Sequence, residues 1–492
     1  MDRARIHRNG PAPGRSHLSP HIRPASAASR LAHPWRAQLK PRTTRERSEL
    51  SRNSRKFHIG LYGQNPVTHH SLATWMHPQN MPRGYRYNRA SVWQYVGQLC
   101  ERAKFDFMFS ADTEGVFEEY RGSIDGAVRY ATQVPSYDET ILLSFVGAVT
   151  DKIGIVSTLS TNGSKPYITA RKFATLDHMT GGRAGWNVVT AFHKNQALNL
   201  GMDEQFEHDE RYDRADEYMD VCYQLWESWD EDAVVMDVEG QMFADPSKVH
   251  HIDHAGKYFK CRGPLNVDRC PQGRPLIVQA GQSTRGMQFA ARHAELVFAI
   301  QPFREGMKKY YSKLKNLMGE EAGRDPDSCK VIFSFQPIVG ETERVAQEKA
   351  EFHNAMVPVE GGMAYLSGHL GYDLSEFGSD ASLEGLKVPG IQGLIDMYLE
   401  TSEGRAKTLG DVARMHATSV GSPQVVGTPE QIADWMEETM AEVGGDGFML
   451  SPIYVPGAIE DFIDLVMPVL RDRGCVRTEY DGETLRENLL AF

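Results

Sequence analysis

The chain has 492 residues, of which 41% are hydrophobic and 10% aromatic, enough to fill a large core and to exclude a globally disordered protein. No apolar run reaches the roughly 18–20 residues of a membrane span, which excludes an integral helical membrane protein. The net charge of −11 divides unevenly: residues 1–56 carry 14 Lys and Arg against 3 Asp and Glu, while the remainder stands at −22, so nucleic-acid binding by the main body is not expected.

Residues 1–56 show little hydrophobic periodicity and read as a basic disordered extension. The segment lacks the apolar core of a secretory signal, and its Arg-rich, acid-poor makeup is shared with organelle transit peptides. From residue 57 onward, short apolar runs alternate with longer amphipathic stretches. FHIGLYG (57–63) is a predicted strand, and SVWQYVGQLCERAKF (91–105) a helix before the strand DFMFSAD (106–112). A helix over 139–150 precedes the strand KIGIVSTLST (152–161). The helix over 166–182 ends at a glycine pair, a common stop signal, before the strand AGWNVVTA (184–191). A long charged helix covers 206–228.

An irregular stretch, 229–272, comes next. RPLIVQAG (274–281), ELVFAI (295–300) and KVIFSFQPIVG (330–340) continue the strand series, with helices over 283–294, 304–319 and 342–355. A second irregular stretch runs from 357 to about 427. The helix 428–444, the eighth strand DGFMLSPIY (446–454) and the helix 458–474 complete the pattern. Eight strands, each followed by a helix, point to an α/β fold, a parallel (β/α)8 TIM barrel over 57–492. The alternative is a doubly wound open sheet, but no G-x-G-x-x-G follows the first strand. The two irregular stretches are longer than ordinary connections and read as lids or pocket walls.

In a βα barrel the active site lies at the C-terminal strand ends. Those ends carry Thr68, His69 and His70, then Asp112, Ser157, Thr158 and Ser160, Asn187 and Thr190, and finally Gly281, Gln282 and Ser283. The set is mostly neutral donors and acceptors, suited to holding a polar cofactor rather than to hydrolysis. Ser283 stands between a glycine turn and a new helix with Arg285 beside it, which suits a phosphate, although a plain N-cap serine is the commoner reading. His208 and Tyr212 lie four apart and share one helix face; a solvated, salt-bridged helix is the alternative. His250, His251, Asp253 and His254 resemble a metal cluster only by composition, and no metal site is expected. The six cysteines form no CxxC pair, which fits a reducing cytoplasm.

Several long motifs recur together in order: ARKFATLDHMTGGRAGWNVVTAF, LGMDEQFEHDERYDRADEYMDVCYQLWESWDEDAVV, VHHIDHAGKYFKCRGPLNVDRCPQGRPLIVQAGQSTRG, GTPEQIADWM and VMPVLRDRGCVRTEYDGETLRENL. Through them the chain resembles the nitrilotriacetate and dibenzothiophene-sulfone monooxygenase branch of the bacterial luciferase-like flavin monooxygenases, over roughly 57–492. The resemblance implies a luciferase-like barrel with insertions at 229–272 and 357–427. It implies FMN as cofactor, taken up as FMNH2 from a separate NAD(P)H:flavin reductase, and O2 activation through a flavin C4a-peroxide. Its flavin contacts map onto Asp112, Thr158, His208, Tyr212 and Ser283. Its catalytic histidine maps onto His69, in a VTH pattern, with His369 on the late insertion as a second candidate. It also implies a homo-oligomer.

The expected reaction is cleavage of a small organic compound, an aromatic sulfone or haloaromatic. Position 62 is Tyr where sulfone-type members carry Phe, and THHSLATWMHPQNMP departs from the relatives. Both changes fall in the expected substrate wall. An aminopolycarboxylate substrate, a deazaflavin-dependent oxidoreductase and a flavin-binding relative without turnover are the rival readings.

Overall fold

The computed structural model describes residues 36–37, 39, 55–63, 68–82, 86–191, 193–384 and 407–492. The expected disordered extension over 1–56 falls almost wholly outside them. Eight parallel strands form the barrel: β1 (His58–Gly63), β2 (Phe107–Ser110), β3 (Gly154–Ser160), β4 (Ala184–Val189), β5 (Leu276–Gln279), β6 (Leu296–Ala299), β7 (Lys330–Val339) and β8 (Gly447–Leu450). Each pairs with the next, and β8 returns to β1 through His58 opposite Gly447, so the sheet closes. These are the eight strands expected from sequence, with ends shifted by a few residues.

Side chains alternate between the two faces of each strand. Val156 joins Phe107, Phe109, Leu276, Val278, Phe298, Ile332 and Met449 in one cluster that fills the barrel. Its strand neighbour Ile155 belongs to the layer under the helices. Burial of each such side chain is worth about 1.5–3 kcal/mol against exposure, so the interior is a packed core rather than a channel.

The outer layer comprises α1 (Ala90–Arg102), α2 (Glu139–Gly147), α3 (Pro166–Met179), α4 (His208–Trp226), α5 (Thr284–His293), α6 (Arg304–Glu320) and α7 (Glu343–Ala355). After them come α8 (Val359–Leu370), α9 (Leu409–Ser419) and α10 (Pro429–Val443). Pro166 starts α3, where its missing N–H costs nothing. Thr428 caps α10 in a reciprocal box with Gln431.

The N-terminal end of the barrel is tied by Asp106. Its carboxylate meets His58 Nδ1 at 2.9 Å and Arg477 Nε at 3.0 Å, and accepts from the Ile59 N–H. Burial alone would raise this carboxyl, yet His58, Arg477 and the Ile59 amide hold it below its usual value. Leu485 and Leu489 of the C-terminal turn pack on the barrel core from the same end.

Both stretches expected to be irregular contain regular structure. Residues 229–272 carry two small antiparallel hairpins, Val234–Asp237 with Met242–Ala244 and His254–Ala255 with Lys260–Cys261. The stretch 357–427 holds α8, α9 and a strand, Gln424–Gly427, that pairs with the upper half of β7. The two helices share a cluster of their own with Met363, Leu366, Leu409 and Val412. Glycines 361, 362 and 368 lie inside α8, where helix propensity is poor. They serve close packing rather than loop flexibility: a Cβ at Gly362 would lie 2.7 Å from the Ala413 carbonyl oxygen, and one at Gly368 would lie 2.3 Å from the Phe117 ring.

Candidate active site

A cavity of about 300 Å3 opens at the C-terminal strand ends, lined by Asp112, Thr113 and Glu114 after β2, Thr158 on β3, His193 after β4, His208, Arg211 and Tyr212 of α4, and Gly281 after β5. The structure therefore brings together four expected cofactor contacts, Asp112, Thr158, His208 and Tyr212. The fifth, Ser283, caps α5 two residues beyond Gly281, its Oγ accepting from the Gly286 N–H at 3.1 Å.

The two ends of the cavity differ in chemistry. At the outer end, a Cβ built on Gly286 would stand 2.7 Å from the Tyr212 hydroxyl and 3.0 Å from Ser283 Oγ. Glycine there lets two hydroxyls and a helix N-terminus converge, an arrangement that favours an anion. The loop is held by Tyr310, whose hydroxyl donates to the Gly281 carbonyl at 2.6 Å. Arg285, expected beside a phosphate, instead pairs with Asp213 at 2.9 Å and Asp216 at 2.6 Å, locking α5 to α4. The cation that does line the cavity is Arg211, whose Nε is buried without a hydrogen-bond partner. Sequence reading passed over it, although it sits between His208 and Tyr212 on the same helix.

At the inner end, Thr158 Oγ1 donates to the Ser110 carbonyl at 2.7 Å and accepts from Asn187 Nδ2 at 2.9 Å. Asn187 Oδ1 is buried and unpartnered. Asp112 accepts from Ser136 Oγ at 3.0 Å. Burial pushes its carboxyl up to about 7, with Glu114 and Asp138 adding to the rise and the Ser136 bond opposing it. This end offers acceptors, and near neutral pH one carboxyl able to switch between acceptor and donor.

Beyond the cavity lies a group of buried imidazoles. His193 lines the cavity and sits edge-on to Phe117, with ring centroids 4.6 Å apart. The other side of Phe117 meets His369 at 5.6 Å. His369 Nδ1 lies 2.8 Å from His416 Nε2, and Gln133 Nε2 lies 3.4 Å from His369 Nε2. His70 stacks on Tyr62 at 3.8 Å, over the barrel mouth. His69, the expected catalytic residue, has its ring 5.7 Å from Trp93 of α1, and neither it nor His369 is among the residues lining the cavity. Burial lowers His69 and His369 to about 4 and His70 and His193 to about 3. At neutral pH these rings are neutral.

The histidines of VHHIDHAG engage separate partners: His250 reaches Asp230, His251 the Gly263 carbonyl, and His254 Glu217. Among the described residues no group of three or more His, Cys, Asp or Glu is arranged to hold a metal ion. No described helix is long and apolar enough to cross a membrane.

The outer end predicts its own test. Ser283→Ala weakens binding of a phosphate-bearing ligand about tenfold, the worth of one charge-assisted bond of roughly 1.5 kcal/mol. Anaerobic fluorescence titration measures it, and an unchanged affinity removes Ser283 from the site.

Comparison with known proteins places the chain. The profile of the luciferase-like monooxygenases matches residues 73–447. The dibenzothiophene-sulfone monooxygenase of Rhodococcus erythropolis strain XP is 39% identical over 442 residues, covering 88% of this chain and 96% of the relative. Nitrilotriacetate monooxygenase component A of Aminobacter aminovorans is 37% identical over 448 residues, covering 89% and 96%. A riboflavin lyase, solved with modified FMN and riboflavin, superposes with a TM-score of 0.80 at 35% identity, covering 89% of this chain and 96% of the other.

Proposed function

The chain belongs to the luciferase-like monooxygenase family, and from that premise we propose that it is the oxygenating component of a two-component system that consumes reduced FMN and O2. The observation that carries this reading is the two-ended cavity. Its outer end gathers the Tyr212 and Ser283 hydroxyls, the N-terminus of α5 and Arg211 around a space fit for a phosphate. Its inner end presents Asp112 and Thr158, the latter braced by Asn187, fit for the N–H and carbonyl edge of a flavin ring. When bound, the reduced flavin supplies the electrons that activate O2 and delivers one oxygen atom to the substrate.

The protein's own residues do the rest. Arg211 and the α5 N-terminus anchor the phosphate, which fixes the ring against the barrel mouth. The α8–α9 pair and Phe117 wall off the inner end and exclude water, which limits wasteful release of peroxide. His369, neutral and hydrogen-bonded, holds or moves a proton at its Nε2. A separate NAD(P)H:flavin reductase supplies the reduced flavin; the naming of the nitrilotriacetate relative as component A supports such a partner. A homo-oligomer remains part of this reading on family grounds alone.

The substrate is a small neutral compound, aromatic and sulfur- or halogen-bearing. Among the described residues, His193 lines the cavity with Phe117, Tyr365 and His369 packed in series behind it, all uncharged at neutral pH, while the cavity carries two carboxyl groups, Asp112 and Glu114. An aminopolycarboxylate would be repelled by those acids and would find Arg211 already taken by the phosphate.

Anaerobic titration with reduced FMN and with reduced deazaflavin tests the cofactor. Micromolar affinity for reduced FMN alone supports the proposal; preference for the deazaflavin overturns it. The same titration across pH reads Asp112. Its carboxyl is neutral below about 7 and anionic above, and the anion repels an electron-rich reduced ring. Affinity therefore falls about three- to tenfold from pH 6 to 8 in the wild type, and stays flat in Asp112→Asn.

A further inference from the structure

The imidazole pair of α8 and α9 has no counterpart in the expectations drawn from sequence. The two helices approach closely because Gly362 offers no Cβ to the Ala413 carbonyl. That approach sets His369 Nδ1 at 2.8 Å from His416 Nε2, with the rings at right angles. An N–N contact of this length requires that one nitrogen carry the proton and the other accept it. The opposite nitrogen of His369, Nε2, faces the carboxamide of Gln133, which also donates to the Tyr365 hydroxyl at 3.2 Å. Gln133 is held in a left-handed backbone conformation, φ 54°, uncommon for a residue other than glycine. With Gln133 donating to Nε2, the His369 proton sits on Nδ1 and points at His416.

The groups facing the pair are His70 after β1, Phe117, Gln133, His193 after β4 and Tyr365 on α8. Among these described neighbours none is a carboxylate, lysine or arginine. A carboxylate partner would hold His369 in its protonated form; a second imidazole orients the ring without supplying charge. Of the five buried imidazoles in this region, His369 alone keeps partial access, whereas His69, His70, His193 and His416 are between 1% and 8% exposed.

We infer that His416 is the positioning residue of His369: it accepts the Nδ1 proton, fixes one tautomer and one ring orientation, and so keeps the Nε2 lone pair, covered at 3.4 Å by the Gln133 carboxamide in the ligand-free site, as the atom of the pair that takes a proton. When Nε2 takes a proton from a reacting group, the Nδ1–H bond to His416 spreads the resulting positive charge. The inference rests on the proposed proton-handling role of His369.

The test uses the full chain labelled with 15N-histidine, with and without turnover. In the ligand-free protein, the His369 signals, identified by their loss in His369→Gln, report a protonated Nδ1 and a bare Nε2. His416→Leu turns that pattern into a mixture of tautomers. His416→Gln, whose side-chain oxygen can accept the same bond, restores it, and His416→Asn, too short to reach, does not. In turnover with reduced FMN, the leucine variant loses about 30-fold in kcat with KM within twofold, and the glutamine variant recovers to within fivefold. An unchanged His369 tautomer in His416→Leu, or a kcat within threefold of wild type, overturns the inference. Should the leucine variant fail to fold by circular dichroism, the contrast between glutamine and asparagine decides by the same criteria. Should the wild type form no oxygenated product, the functional reading fails, while the nitrogen spectra still decide the role of His416.

Discussion

His369→Ala lowers oxygenated-product formation by roughly 100-fold or more, while affinity for reduced FMN changes less than threefold. The size is that of a lost general acid–base group. The separation of the two effects follows from place. His369 stands behind Phe117, beyond the Asp112, Thr158 and Tyr212 lining, so its removal leaves the flavin contacts intact. Oxygen consumption continues in the variant, because reduced flavin reacts without the protein's help, and the balance appears as hydrogen peroxide. Product mass and peroxide, measured together against reductase turnover, give the coupling ratio. A variant that keeps its product yield, or loses flavin affinity in parallel with turnover, contradicts the assigned place of His369.

Acid sensitivity is the second large effect. Burial lowers seven imidazoles: His69, His77 and His369 to about 4, His70, His193 and His353 to about 3, and His416 well below its ordinary value. In the unfolded chain each titrates near 6.5. Between those values the unfolded state binds more protons, so stability rises with pH there and is lost as pH falls below about 6.5. Each group contributes about 1.4 kcal/mol per pH unit in that window, and seven together rival the roughly 5–15 kcal/mol that holds a domain folded. The carboxyls of Asp112, Glu114, Glu119 and Asp177 work in the opposite sense, since burial raises them and they favour the folded state on acidification, but they are four groups against seven. Urea unfolding at pH 7.5, 6.5 and 5.5 therefore shows a midpoint falling modestly over the first step and about three times as far over the second. A midpoint independent of pH across that range contradicts the neutral, buried histidine cluster.

The barrel was legible because its strands are short, mostly apolar runs between amphipathic helices, as parallel strands buried on both faces require. The candidate cofactor end followed from one rule, that barrel chemistry lies at the strand C-termini: Asp112, Thr158 and the Ser283 turn fall there, and Asp112, Thr158 and Gly281 of that turn line one cavity. The late insertion was not legible as helix. VEGGMAYLSGHL carries three glycines, each unfavourable in a helix by about 1 kcal/mol, and packing against Ala413, Tyr130 and Phe117 reverses that preference. The same packing hid His416, which becomes a neighbour of His369 only when two helices 47 residues apart meet. Arg285 loses the place expected for it, and Arg211 stands in the cavity, for an equally tertiary reason. Asp213 and Asp216 on α4 capture the first, and the cavity receives the second.

The central claim is oxygen transfer from O2 with reduced FMN. The direct measurement is product mass under 18O2, with FMN, NADH, a flavin reductase and a panel of aromatic sulfones, halogenated phenols and nitrilotriacetate. The account predicts a single 18O atom in a product from a neutral aromatic member of the panel, none without the protein, and none from nitrilotriacetate. Absence of labelled product from every member, with peroxide released at the rate of the reductase alone, contradicts it.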